Sequence, residues 1–143
     1  MDEFRNIEEQ VEDLVDGLRV DAGMAKDVFW AHAMLISKQV RAEQMRLPKK
    51  LRDEVTPGLP GVAIQRTKES FRMRWYKILR GKQGVQRYAP KEYMSVTKTG
   101  HYSISSLLNI TPKSQKNLVS LIEIYFRETR EELKLITEMK SLL

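Results

Sequence analysis

The chain has 143 residues, with 25 Lys and Arg against 19 Asp and Glu, 41% hydrophobic residues, no cysteine and a pI near 9.6. That is the size of one domain with a core of its own, and zero cysteine rules out disulfides, thiolate metal sites and cysteine nucleophiles. No apolar run reaches the roughly 18 residues of a membrane span, and the start MDEFRNIEEQVED is acidic where a signal peptide is basic, so a cytoplasmic protein is expected.

In residues 1–46, Phe4, Ile7, Val11, Leu14, Leu18, Ala22, Ala25, Phe29, His32 and Ile36 recur at steps of three and four, with Val15, Val28, Leu35 and Val40 widening the stripe. This spacing predicts one helix from about Glu3 to Met45, roughly 60 Å long at ~1.5 Å per residue. Gly17 and Gly23 each cost it roughly 1 kcal/mol relative to Ala, so a kink or break is expected near them. Residues 47–65 hold Pro48, Pro57, Gly58, Pro60 and Gly61 and are expected to form a loop.

From Ser70 to Leu79 the period changes to two. Phe71, Met73 and Trp75 fall on one side and Arg72, Arg74 and Tyr76 on the other, the pattern of a strand with an apolar face and a basic, aromatic face. Arg80-Gly81-Lys82-Gln83-Gly84 supplies a turn and Val85 to Tyr88 a returning strand; Tyr93 to Thr99 is a weaker third candidate. Tyr102 to Leu108 suits a short helix. Thr111-Pro112 suits an N-cap followed by Pro at the first helical position, opening a last helix from about Lys113 to Leu143. Its apolar stripe runs through Leu118, Leu121, Ile122, Tyr125, Phe126, Leu133, Ile136, Met139 and Leu143, leaving Arg127, Arg130, Glu131, Lys134 and Glu138 for the solvated side. The expected fold is a single α+β domain over residues 1–143: a long N-terminal helix, a small antiparallel sheet or hairpin within 66–100, and a helical segment 101–143 ending in a long helix. Trp30 and Trp75, each in an apolar register, are expected in the core.

Charge is distributed unevenly. Residues 1–46 carry six Lys and Arg against ten Asp and Glu, residues 47–116 fifteen against four, and residues 117–143 four against five. All of the basic excess lies in the middle, which points to a polyanion, because clustered cations release counterions from phosphates. Catalysis has little support. His32 falls on the apolar stripe of the first helix, as a core or interface histidine does, and His101 sits in a turn. No HExxH pattern or other metal-ligand spacing is present, so no metal and no cofactor are expected. Glu8/Glu9 and Glu131/Glu132 diverge around helix axes and suit solvated faces. Gly81-Lys82-Gln83-Gly84 matches a GxxG phosphate clamp in letters, but it joins two strands where that clamp joins two helices.

What remains is a basic ribbon. Arg66 and Lys68 lead into the strand; Arg72, Arg74, Tyr76 and Lys77 lie along it; Arg80, Lys82 and Arg87 surround the turn. Lys77 has the apolar register and is the weakest member. Such a ribbon fits the DNA major groove, with arginines on guanine edges or phosphates, while its rings suit stacking on unpaired bases. The competing structural role for Arg72 and Arg74 is neutralisation of acids on the first helix, such as Glu12 or Asp16.

The segments Ser70-Phe71-Arg72-Met73-Arg74-Trp75-Tyr76-Lys77-Ile78 and Lys98-Thr99-Gly100-His101-Tyr102, the stretch Ser103 to Leu108, and the final helix from Leu118 to Ile136 with Glu123, Phe126 and Arg130 resemble the MobI family of conjugative mobilization proteins. The resemblance covers about residues 25–137, and the Lys-Gly-Tyr step departs from the family in spacing. It implies a relaxosome accessory that recognises a transfer origin and assists a separate relaxase. The expectation is therefore a non-enzymatic protein that binds DNA, duplex in the first instance, with a relaxase as a further partner. Two alternatives are a helical adaptor that pairs with a partner or with its own copy through the Phe4–Leu18 stripe, and a small basic RNA-cleaving toxin.

Overall fold

A computed structural model describes residues 2–49, 60–78 and 91–143. The element order is α1 (Asp2–Arg46), β1 (Gly61–Arg66), β2 (Phe71–Ile78), β3 (Lys91–Tyr93), α2 (Ile104–Asn109) and α3 (Lys116–Ser141), the last preceded by a 3₁₀ turn at Lys113–Gln115. This is the expected α+β arrangement. The three strands form an antiparallel sheet in the order β1-β2-β3.

α1 is continuous through Gly17 and Gly23, so neither glycine breaks it. The cost of roughly 1 kcal/mol per glycine is offset by burial of Val11, Val15, Ala22, Phe29 and Ala33 in the common core. α3 runs antiparallel to it: the buried Gln115 donates its side-chain amide to the Ala33 carbonyl (2.9 Å) and the Ser37 hydroxyl (3.2 Å), while Lys140 and Leu143 at the other end share a cleft with Glu8, Glu12 and Asp16.

The sheet lays one face on this helix pair. Val62, Phe71, Met73 and Trp75 are buried, and the Trp75 ring meets Phe29 of α1 edge-on at 5.6 Å and Phe126 of α3 at 6.1 Å, the geometry aromatic quadrupoles favour. One indole thus joins both long helices to β2.

Several expectations are corrected. β1 begins inside the stretch 47–65 read as loop and ends at Arg66; the Pro60-Gly61 before and at its start hid a strand whose residues alternate only weakly. β2 has its long partner upstream, in register Gly61↔Tyr76 to Arg66↔Phe71, and the 67–70 turn closes with Thr67 N donating to the Ser70 carbonyl at 3.0 Å. The proposed turn at 80–84 and return strand at 85–88 lie outside the described residues. The third strand is Lys91–Tyr93, not Tyr93 to Thr99; after Met94 N donates to the Trp75 carbonyl (2.9 Å), the chain leaves the sheet for a turn in which Gly100 takes a φ of 82°, a conformation costly for residues with a Cβ. Thr111 is not an N-cap, since its hydroxyl donates back to the Leu107 carbonyl at 2.7 Å. Ser103 caps α2 by accepting from Ser106 N at 3.3 Å.

The outer surface of α1 brings further corrections. Trp30 is exposed, as are His32, Val28 and Leu35. The stripe they share with the core residues is broader than the area α3 and the sheet can cover. Of the Phe4–Leu18 stripe offered as a partner surface, Val11, Val15 and the half-buried Leu18 pack within the chain, while Ile7 and Leu14 are exposed.

Candidate nucleic-acid interface

Pairing in β1-β2-β3 puts alternate residues on the face away from the helices. Opposite register positions place Gln65 beside Arg72, Ala63 beside Arg74, Gly61 beside Tyr76, and Tyr76 beside Tyr93. Lys91 has the same parity as Tyr93. Arg72 is exposed and Arg74 half-exposed. The Arg74 guanidinium lies 4.1 Å over the Tyr93 ring and donates to the Gln65 side-chain oxygen at 3.3 Å. Tyr93 meets Tyr76 edge-on at 5.7 Å, and the Lys91 ammonium lies 4.7 Å over the Tyr76 ring. The result is a ladder of cation, ring, ring, cation across β2 and β3. Cation–π interactions of this kind are worth about 0.5–1 kcal/mol at exposed sites, which offsets part of the roughly 1.5–2 kcal/mol of rotamer freedom that fixing a Lys or Arg side chain costs.

Gly61 is part of the same surface. A Cβ there would overlap the Tyr76 ring, so the missing side chain at Gly61 is what lets the ring lie flat along β1.

The underside of β2 is held by a buried ionic strut. Glu123 is fully buried. Its carboxylate accepts from Trp75 Nε1 at 3.0 Å, from Arg130 at 2.9 and 3.0 Å, and from Arg127 Nε at 3.2 Å. Arg130 also reaches the Met73 carbonyl at 3.4 Å and stacks over Tyr102 at 5.1 Å, while Arg127 donates to the Tyr102 carbonyl at 2.6 Å. A buried charge is tolerated only when paired and hydrogen-bonded, and here four N–H donors surround one carboxylate. Arg127 and Arg130, expected on the solvated side of α3, are structural. This also explains the Lys98–Tyr102 step: the turn at Gly100 seats Tyr102 on the two arginines and brings His101 Nε2 within 2.7 Å of Glu131.

The ribbon residues therefore separate into groups. Arg72, Arg74 and Tyr76 come together on the outer face. Arg66 and Lys68 lie at the far end, on a cleft of about 630 Å³ whose other wall includes Glu8, Glu12 and Asp16. The neutralisation foreseen for Arg72 and Arg74 is absent: among the described residues neither forms an ion pair with α1, and the acids of α1 face Arg66 and Lys68 instead. Lys77 has the inward parity and pairs with Glu92 across the strands at 3.4 Å. Arg80, Lys82 and Arg87 lie outside the described residues. Lys91 and Tyr93 are additions to the expected ribbon, although the alternation Lys91-Glu92-Tyr93 directly after Pro90 carries the signal of a short edge strand. A second cleft, of about 740 Å³, runs from Arg72 and Arg74 past Thr99 and His101 to Lys134, alongside the same face.

Among the described residues, no group of three or more His, Asp or Glu side chains is placed to hold a metal ion, and no helix is long and apolar enough to cross a membrane.

Fold and surface define a small α+β domain whose two long helices carry a three-stranded sheet with an outward cationic and aromatic face. The family model described as MobI protein matches residues 18–143. The chain belongs to the MobI family, and its role lies in conjugative mobilization. No curated protein and no solved structure matches it.

Proposed function

We propose that this MobI-family protein is a non-enzymatic DNA-binding accessory that recognises a transfer origin through the outer face of its sheet, so that a separate relaxase can act there. The observation that carries this is the Arg74–Tyr93–Tyr76–Lys91 ladder with the exposed Arg72 beside it. Guanidinium groups match phosphate and guanine edges bidentately, and Arg74, already held by Tyr93 and Gln65, loses less side-chain freedom on binding than a free arginine does. The basic excess of residues 47–116 supplies the long-range attraction. Arg66 and Lys68 extend the surface at one end of the sheet, though the acids of α1 compete for them.

The test is fluorescence anisotropy with a labelled duplex carrying the element's transfer origin, an unrelated duplex and a single strand, each titrated at several salt concentrations. The expected result is binding that weakens linearly in log–log form as salt rises, with the origin duplex bound most tightly. Absence of salt-dependent binding to all three would overturn the proposal.

A further inference from the structure

The surface of α1 turned away from the sheet and α3 carries an apolar seam of its own. Gly17, Val20, Met24, Val28, Ala31, Leu35 and Ala42 follow one another at three- and four-residue steps, interrupted only by Lys38, and all are exposed. Val20, Met24, Val28 and Leu35 keep 52, 62, 54 and 59% of their surface in water. A stripe at this spacing is what one helix presents to another. It spans roughly 40 Å at ~1.5 Å per residue.

The charge on α1 says which helix would cover it. Residues 2–27 hold nine Asp and Glu against three Lys and Arg, whereas residues 28–46 hold one acid, Glu43, against Lys38, Arg41 and Arg46. The acidic half is reinforced from α3: the Tyr125 hydroxyl is pushed up by burial and then by the charges of Asp21, Glu132 and Glu128, which places these carboxylates around one spot. A second copy of α1 laid antiparallel sets each acidic half against a basic half; laid parallel, it sets like against like.

We infer that this protein forms a two-fold symmetric dimer through an antiparallel pairing of α1 with α1 of a second copy. With the axis between Val28 and Ala31, Val28 meets Ala31, Met24 meets Leu35, Val20 meets Gln39 and Gly17 meets Ala42, so the two longest side chains lie beside each other and the smallest allow close approach at the ends. The one polar position in the seam is then matched, because Lys38 meets Asp21. Outside the seam, Asp13 meets Arg46. Each pairing occurs twice, as an isologous interface requires, and opposite charges at such flanking positions set partner and orientation.

Analytical ultracentrifugation of the full chain tests this. The wild type is expected to sediment as a species of twice the 16.7 kDa chain mass. Asp21→Lys alone and Lys38→Asp alone should each weaken the dimer at least tenfold, and the double variant should restore it, because each reversed residue then meets the other reversal on the partner. Both substitutions lie at exposed positions, so circular dichroism should be unchanged. A wild type that stays monomeric up to millimolar concentration would overturn the inference, as would a double variant no tighter than the single ones.

Discussion

Replacing Arg130 with Met is expected to destabilise the protein by about 3–5 kcal/mol, the range for removing one partner of a buried ion pair, and to lower the melting temperature by on the order of 10–20 °C. The size follows from the position of Glu123. Its carboxylate has no access to water, and Arg130 supplies two of its four hydrogen bonds. Arg127 remains but is the more exposed partner and makes the longer bond, at 3.2 Å. Loss of Arg130 therefore removes one of the two hydrogen bonds at each carboxylate oxygen, leaving Trp75 on one and Arg127 on the other, and also removes the cation over Tyr102 and the bond to the Met73 carbonyl. Adding Glu123→Leu to Arg130→Met should recover part of the loss, because an apolar replacement no longer buries a charge. Urea unfolding of the single and double variants measures this coupling. A loss under about 1 kcal/mol for Arg130→Met, the size of an ordinary surface pair, would show that the strut is not what holds β2 to α3.

The second large effect concerns binding. The Arg72→Ala/Arg74→Ala variant is expected to bind origin duplex on the order of 100-fold more weakly, since hydrogen bonds to charged groups contribute about 1.5–3 kcal/mol each. Its log–log salt slope should become shallower by about 0.9 for each phosphate that these arginines no longer neutralise. Its stability should change by under about 1 kcal/mol, because Arg72 is exposed and, among the described residues, Arg74 is held by the half-buried Gln65 and Tyr93 on the outer face. Affinity and stability are thus separable on this face, whereas on the opposite face of the same strand they are not. Lys113→Ala/Lys116→Ala, which removes as much charge at the start of α3, should leave the affinity close to wild type.

The contrast between the two faces of β2 also shows what could be read in the residues. Strict alternation from Phe71 to Tyr76 was enough to place Trp75 in the core and Arg72 and Arg74 outside, because a period of two leaves no other arrangement. The long helices were legible for the same reason. β1 was not: Gly61-Val62-Ala63-Ile64 has small residues on its outer side, and the proline and glycine before it read as loop. The strut was hidden by a different effect. On α3, Glu123, Arg127 and Arg130 look like an ordinary charged helix face, and only the indole N–H of a distant strand turns that face inward. The resemblance to the MobI family had already drawn together Trp75, Glu123 and Arg130 without a physical reason; the reason is that they form one hydrogen-bonded unit. On α1, apolar residues surround the axis so widely that periodicity could not tell the buried side, with Phe29 and Ala33, from the exposed one, with Trp30 and Leu35.

If DNA meets the outer face of the sheet, the arginine side chains report it directly. In an NMR titration of the full chain with origin duplex, the Nε–H resonances of Arg72 and Arg74 should shift and those of Arg127 and Arg130, held on Glu123, should stay in place. Shifts at Arg41 and Arg46 of α1, with Arg72 and Arg74 unmoved, would contradict binding at this face.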